Sequence, residues 1–265
     1  MSKGNVSRFQ MVTIAVALLI TAFIVLVLIG VVTHSPASVL IECLLSEEIQ
    51  FAIRLSIITS VISTLLCILV AVPVAYALAR YTFPGKSLMN MVMDIPMALP
   101  PLVAGVGLLL FFGVSPIGKS LDAMGLAFVF TPLGIIVAQF FVNLPYMLRV
   151  TRSTFQSINP RYEHVAKTLG CTDAQAFWRV TLPMSSNGLL AGSVITWSKG
   201  IGEFGAALML AGATRMKTET LPLSLFLNMS TGNLEYAISA ATILIVISII
   251  SLYVFERYSG ATHVY

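Results

Sequence analysis

The sequence predicts an all-α fold, a polytopic helical membrane protein with six transmembrane helices. Three observations carry that prediction. Hydrophobic residues make up 57% of the 265 and charged residues 10%, with mean hydropathy +0.94. A soluble domain carries about 25% charged residues, so the solvent of this surface is mostly lipid. The apolar runs are also continuous and about twice the ten residues of an alternating barrel strand, and lipid admits only helices or closed barrels. Finally, the basic residues gather in alternate loops, as helices that cross and recross a bilayer require.

The first span runs from Met11 to Val32 without a charge. At 1.5 Å per residue it is roughly 33 Å long, enough for the hydrocarbon core, and too long for the apolar part of a cleaved leader. The second span is Ala52 to Leu78, the third Ala98 to Gly113, and the fourth Leu126 to Leu148. The fifth is Met184 to Lys199, continuing in broken form to Leu210, and the sixth is Tyr236 to Phe255. With six spans, Lys3, Arg8, Arg80, Lys86, Arg149, Arg152, Arg161, Lys167, Arg179 and Arg257 share one side. The other side holds Lys119, Arg215 and Lys217, with Glu42, Glu47 and Glu48 in its first loop. The positive-inside rule then places both termini in the cytoplasm.

Three stretches break the helical pattern. DIPMALPP, Asp94 to Pro101, holds three prolines and is not expected to be a regular helix. GIGEFGAALMLAG, Gly200 to Gly212, sets four glycines around the single carboxylate of Glu203. TRMKTETLPLSLF, Thr214 to Phe226, is polar and then amphipathic. Irregular backbone at membrane depth survives only where protein covers it or it lines a wet cavity, so the breaks point to a pathway.

Several functions are excluded. Cys43, Cys67 and Cys171 are scattered without a C-x-x-C pair, so neither a structural metal nor a disulfide framework is expected. The net charge of +4 belongs to loops that set topology, not to nucleic-acid binding. Met89, Met91, Met93 and Met97 offer thioethers that suit Cu(I), but no Cys or His accompanies them and Met commonly fills apolar gaps. The turn at Gly113-Val114-Ser115 has no base at its depth, because His34, His164 and His263 all lie outside the spans. Asp94 has no second membrane Asp with which to share a proton. With no phosphate loop either, the chain is read as non-catalytic, and any ATP is bound elsewhere.

One segment looks borrowed from a soluble protein: EHVAKTLGCTDAQAFWRVTLP, Glu163 to Pro183. Val165, Ala166 and Leu169 form a stripe at helical spacing, and Gly170 stands where a helix C-cap belongs. Thr172 or Asp173 can cap the next helix; Phe177, Val180 and Leu182 continue the apolar face, and Pro183 opens the fifth span. The pattern admits two readings, an amphipathic helix lying on headgroups or a docking element for a cytoplasmic partner.

The segment resembles the cytoplasmic loop of ABC importer permease subunits, E-A-A-x-x-x-G-x(9)-I-x-L-P. Gly170 takes the glycine, and Val180, Thr181, Leu182 and Pro183 take the ending without a gap. His164, Val165 and Ala166 fall on the E-A-A triplet, so its last residue alone matches, and Glu163 stands one place upstream. The resemblance covers Glu48 to Phe255 and implies a type I ABC importer permease fold. It also implies a coupling helix within residues 160–182, in which Glu163, His164, Val165, Ala166, Leu169, Gly170, Leu182 and Pro183 meet the ATPase. Two copies of the chain would form a homodimer in membrane lipid, over two ABC ATPase subunits that bind ATP and Mg, and under an external oxyanion-binding protein. Residues 1–47 would be an N-terminus, an added first helix and an external loop, and residues 256–265 a cytoplasmic tail.

GEFGAALMLAG (Gly202 to Gly212), followed by KTETLPLSLF (Lys217 to Phe226), resembles the molybdate and tungstate permeases; the related sulfate permeases share much of the Gly-Glu-Phe-Gly stretch, and LPPLVAGVGLL (Leu99 to Leu109) resembles that oxyanion group. Molybdate or tungstate is the expected cargo, with sulfate or thiosulfate as the alternative. An ion-coupled secondary transporter is a weaker reading, since no inverted repeat is visible. Gly202, Glu203, Phe204 and Gly205 are the candidate pathway or gate. Glu203 is expected to face protein, water or Lys199, and to act on structure or gating, because a carboxylate repels an oxyanion. Lys199, Arg215 and Lys217 read as an attractive outer mouth or as ordinary solvated charge, and Asp94 as a residue of the cytoplasmic interface. GLLAG, Gly188 to Gly192, is a small-xxx-small face that packs either within one subunit or across a dimer.

Overall fold

The computed structural model describes residues 7–258, with side chains up to residue 253. Lys3, His263, the side chain of Arg257 and most of the expected tail lie outside the described residues. In chain order the helices are α1 (Arg8–Thr33), α2 (Ala37–Leu45), α3 (Glu47–Arg80), α4 (Lys86–Ala98), α5 (Pro101–Gly113), α6 (Pro116–Ala123) and α7 (Pro132–Ser157). There follow α8 (Arg161–Thr168), α9 (Asp173–Ala176), a π-helical turn (Phe177–Thr181), α10 (Leu182–Met184) and α11 (Ser186–Ile201). The chain closes with α12 (Gly205–Ala211), α13 (Leu221–Ser230) and α14 (Leu234–Tyr258).

Four of the six expected spans are continuous apolar helices: α1, α3, α7 and the Leu234–Tyr253 part of α14. The third expected span, Ala98 to Gly113, is α5, and α4, which was not expected as part of it, leads into it through a 111° bend. The fifth is α11, 16 residues long, then a break at 202–204 and the short α12. DIPMALPP departs from expectation in part. The helix passes through Pro96 and stops only at Leu99, whose backbone is extended (φ −78°, ψ 141°). The tandem prolines explain the position of the break: each forces the residue before it out of the helical region, and Leu99 and Pro100 both precede a proline. Pro101 then opens α5, where its missing N–H costs nothing.

α7 is the centre of the molecule. On one side Ile135 and Ala138 pack with Ala104 and Leu108 of α5 and Ala207 and Leu210 of α12. On another, Met147, Leu148 and Phe155 pack against Cys67, Ala71, Ala75 and Leu78 of α3. α3 turns a face of small side chains inward, among them Ser56, Ser60, Ser63, Ala71 and Ala75, and small faces let helices approach closely in lipid. A third cluster ties α2 and α3 to α13 and α14 through Cys43, Ile49, Leu221 and Ile243. α1 buries none of its side chains and rests along α14, outside the rest of the bundle.

The GLLAG face packs within the subunit. A Cβ at Gly188 would overlap the Thr154 side chain of α7, and one at Gly192 would meet Met147 Sδ at 3.1 Å and Val150 at 3.2 Å. Gly188→Leu should therefore lower the thermal unfolding midpoint of the detergent-purified chain, by an overpacking cost of about 1–3 kcal/mol. Gly30→Leu, where nothing lies within 4 Å, is the control and should leave it unchanged. Equal midpoints for the two variants would overturn the intrasubunit contact.

Candidate coupling surface and pathway breaks

The segment after α7 folds as two short helices about a tight turn. Gly170 has φ +92°, a region that costs an L side chain energy and that glycine enters freely. Its N–H donates to Lys167 O at 3.0 Å, and the Cys171 N–H to Ala166 O at 3.1 Å, so the last carbonyls of α8 are satisfied. Thr172, not Asp173, caps α9. Its hydroxyl accepts from Gln175 N–H, while the Gln175 side chain accepts from Thr172 N–H at 2.9 Å, a complete capping box. Asp173 instead pairs with Lys167 across the turn. The next turn widens: Leu182 N–H donates to Phe177 O, five residues back, and Pro183 stands in the following short helix.

The apolar stripe of α8 is its exposed face. Leu169 is 80% exposed and Val165 58%, with Tyr162 and Trp178 also out, while Ala166 is half-buried. The buried residue of α8 is its carboxylate, Glu163, at 4% exposure. It accepts from Arg80 Nε at 2.7 Å, Thr181 Oγ1 at 2.8 Å and the Tyr76 hydroxyl at 2.9 Å. Arg80 also donates to Ile158 O at 3.0 Å. Burial by itself raises the Glu163 pKa; the hydrogen bonds from Thr181, Arg80 and Tyr76 and the Arg80 charge outweigh it and hold the carboxyl below the usual range. Tyr76 packs edge-on against Phe177 and Phe155, with centroids 4.8 Å and 5.8 Å away, so the anchor is apolar around its charged centre. The carboxylate thus bolts α8 to the end of α3 and to the turn that leads into α11. Nothing in the sequence pattern singled out Tyr76 or Thr181 as its partners, and Arg80 stood out only as a loop charge. His164, Gly170 and Pro183 are exposed beside this anchor, and Leu182 is half-buried.

The candidate gate residues sit where two broken spans meet. A Cβ at Gly205 would lie 2.9 Å from Pro101 Cβ, so the end of the α11 break rests against the start of α5. Gly105 makes the same kind of approach to Ala206 and Met209. Glu203 is buried and its Oε1 accepts the Ala206 N–H at 2.9 Å, closing the first turn of α12. Of the surroundings expected for Glu203, protein, water or Lys199, the structure gives protein, and no ion pair with Lys199 forms. Lys199 lies 4.2 Å above the Tyr146 ring centroid, since the helix ends at Ile201 and the i to i+4 geometry is lost. Gln139 Nε2 donates to Gly200 O at 2.9 Å, satisfying a carbonyl next to the break, and to Thr59 Oγ1 at 3.3 Å. Both polar atoms of the Asn143 side chain and the Thr196 hydroxyl are buried beside it without a protein partner. Phe204 packs on Phe226 with centroids 5.4 Å apart, and Gly202 is exposed.

Removing the Glu163 carboxylate should be costly, because it strands a buried guanidinium. Glu163→Ala is expected to destabilise the segment by about 3–5 kcal/mol, read as faster hydrogen exchange across 161–183. A carboxyl with a lowered folded pKa stabilises fully above its unfolded value, near 4.3, and loses that stabilisation as pH falls through the folded value. Opening of this segment should therefore be flat with pH in wild type from about 8 to 5 and rise below about 4.3. A wild-type profile without that acid limb would overturn the assignment.

The profile of the family described as binding-protein-dependent transport system inner membrane component matches residues 68–260. The sulfate transport system permease protein CysT of Salmonella typhimurium is 35% identical over 181 residues, 68% of this chain and 65% of that protein. This match therefore spans just under two thirds of that relative. The molybdenum transport system permease protein ModB of Mycobacterium tuberculosis is 34% identical over 200 residues, 75% of each. Among solved structures, a bacterial ABC transporter involved in the import of the acidic polysaccharide alginate aligns with TM-score 0.74 and 16% identity, covering 94% of this chain and 96% of that one. The broken-helix bundle is thus the fold of ABC importer permeases, and the chain belongs to the family of binding-protein-dependent transport system inner membrane components.

Proposed function

We propose that this chain is the membrane-spanning subunit of an ATP-driven oxyanion importer, and that α8 with its turn is the surface on which the ATPase acts. The observation that carries the reading is the orientation of α8: a buried, fully bonded carboxylate on one side and Val165, Leu169 and Tyr162 bare on the other. A helix lying on headgroups would turn its apolar side to the membrane it rests on. Here the apolar side faces away from the bundle, as a docking surface for a second protein does. The family description names a binding-protein-dependent system, which supports an external binding protein above the chain. Two copies of the chain, as a homodimer, would enclose one pathway, with ATP and Mg held by two partner ATPase subunits. Closure of the ATPases pushes α8; the Glu163 anchor passes the push to α3 and, through Thr181, to α11 and its break at 202–204.

The cargo is a tetrahedral divalent oxyanion, molybdate or tungstate ahead of sulfate. The sulfate and molybdenum relatives are alike in identity, so the finer choice rests on the likeness of Gly202 to Gly212 and Lys217 to Phe226 to molybdate and tungstate permeases. Glu203 serves the gate structurally, by closing α12, and not as an anion ligand.

The test begins with affinity purification of the tagged chain from its native membrane. A P-loop ATPase is expected to accompany wild type. Gly170→Pro cannot adopt a positive φ and should lose that partner while remaining in the membrane. Absence of an ATPase from wild type under conditions that keep the complex intact would overturn the importer reading. In uptake assays, sulfate accumulation with none for molybdate or tungstate would reverse the choice of cargo.

A further inference from the structure

At the α8 end of α7, a cavity of about 260 Å³ opens between α7 and α4, lined by Asn90, Asp94, Arg149, Arg152, Ser153 and Gln156. We propose that it is a binding site for a tetrahedral oxyanion, with Arg149 and Arg152 as its cationic ligands and Asp94 as the resident counter-charge that the anion displaces.

The geometry on α7 comes first. Residues 149, 152, 153 and 156 recur at spacings of three and four, so two guanidiniums, a hydroxyl and an amide share one face of the helix. Guanidinium forks match the oxygen edges of tetrahedral anions, and Ser and Gln add neutral donors. A cavity of this size has room for about eight waters, hence for an anion with part of its hydration shell.

The charge does not balance within the protein. Arg149 Nη2 lies 3.1 Å from Asp94 Oδ2. Arg152 Nη1 donates to Asn90 Oδ1 at 2.7 Å, a neutral acceptor, and among the described residues no carboxylate lies within ion-pair distance of Arg152. The site therefore holds two cations and one anion. Pinning α4 to α7 needs one pair only, and the second arginine is in excess of that structural need. The Arg149–Asp94 pair is about half exposed on both sides, a class of ion pair worth about 0–1 kcal/mol. A divalent oxyanion that engages both arginines can displace such a partner.

The position suits an anion leaving the pathway. α4 carries Asn90 and Asp94 at its middle and ends at the 111° bend, where Pro101 meets Gly205. Six residues, about 9 Å of helix, separate Asp94 from Pro100. The cavity thus lies between the candidate gate and the end of the bundle that bears the coupling surface. The same chemistry would accept the phosphate of a lipid headgroup, and the experiment must separate the two.

The anion's identity rests on the oxyanion-importer reading, but the site is tested without it. The full chain, in nanodiscs of phosphatidylcholine, is titrated calorimetrically with molybdate, tungstate and sulfate. Wild type should bind at least one of these, and Arg149→Gln combined with Arg152→Gln should weaken binding about tenfold or more, the loss of at least one charge-assisted bond. Asp94→Asn should tighten binding severalfold, a gain that a merely structural clamp would not give. No binding by wild type, equal binding by the arginine variant, or weaker binding by Asp94→Asn would each overturn the proposal. In phosphatidylglycerol nanodiscs the free-anion affinity should persist. Its disappearance there, with arginine-dependent retention of the lipid, would assign the site to a headgroup and overturn the pathway role. Failed uptake with intact binding would count against the importer reading alone; intact uptake with failed binding would count against this site alone.

Discussion

The Glu163 carboxylate is buried at the end of a helix bundle, where an unpartnered charge would not remain charged. Arg80, Tyr76 and Thr181 meet it from two different elements, and each of the three contacts is a charge-assisted hydrogen bond. That arrangement decides the orientation of α8. With its charge turned inward, Val165 and Leu169 have nowhere to go but out. The exposed apolar surface is thus a consequence of the ion pair, not of the stripe's own hydrophobicity. The same contacts make α8 a rigid extension of α3 and α11. A push on a loop tethered only by its backbone would dissipate in the loop; on the proposed importer reading, a push on this one would reach two spans.

At the other end of α11 the constraint is the membrane's intolerance of unsatisfied backbone. The break at 202–204 frees carbonyls at the end of α11 and N–H groups at the start of α12. Gln139 and the Glu203 N–H answer the Gly200 carbonyl, and the Glu203 carboxylate answers the Ala206 N–H. The break is held by specific side chains from α7 and from the break itself, and it presses on the similar break before Pro101. Two breaks in contact shield each other's backbone from lipid, which is what the proposed gate would require.

Much of this fold was legible in the sequence, because lipid leaves few ways to satisfy a backbone. The runs from Met11, Ala52 and Tyr236 gave helices within a few residues of expectation. The Gly170 turn was also legible, since a glycine between two amphipathic stretches has few other uses. What stayed hidden depends on partners far apart in the chain. Glu163 and Arg80 are 83 residues apart, so no local pattern marks their bond, and local periodicity alone did not say which face of α8 turns inward. Lys199 stood among the expected surroundings of Glu203 because four residues separate them, but that spacing means a contact only if the helix persists, and it stops at Ile201. GLLAG announced a close approach and could not name the neighbour; the Thr154 side chain names it. Pro96 looked like a break, but a proline stops a helix only where the geometry before it must also yield, and Leu99-Pro100-Pro101 imposes that more strongly.

The two ends of α11 connect through its middle. Its 16 residues span about 24 Å, from the turn anchored by Thr181 to the break at Gly202. Between them Gly188 and Gly192 receive the Thr154, Met147 and Val150 side chains of α7, so the two helices interlock closely there. Side chains seated in such holes tie the two helices together, because a slide would break their packed contacts. On the proposed importer reading, a push at Thr181 would therefore be carried by α11 and α7 together, and it would meet the first discontinuity of α11 at 202–204. That discontinuity rests against Pro101, so under the same reading the proposed gate lies at the far end of the helix whose near end the anchor holds.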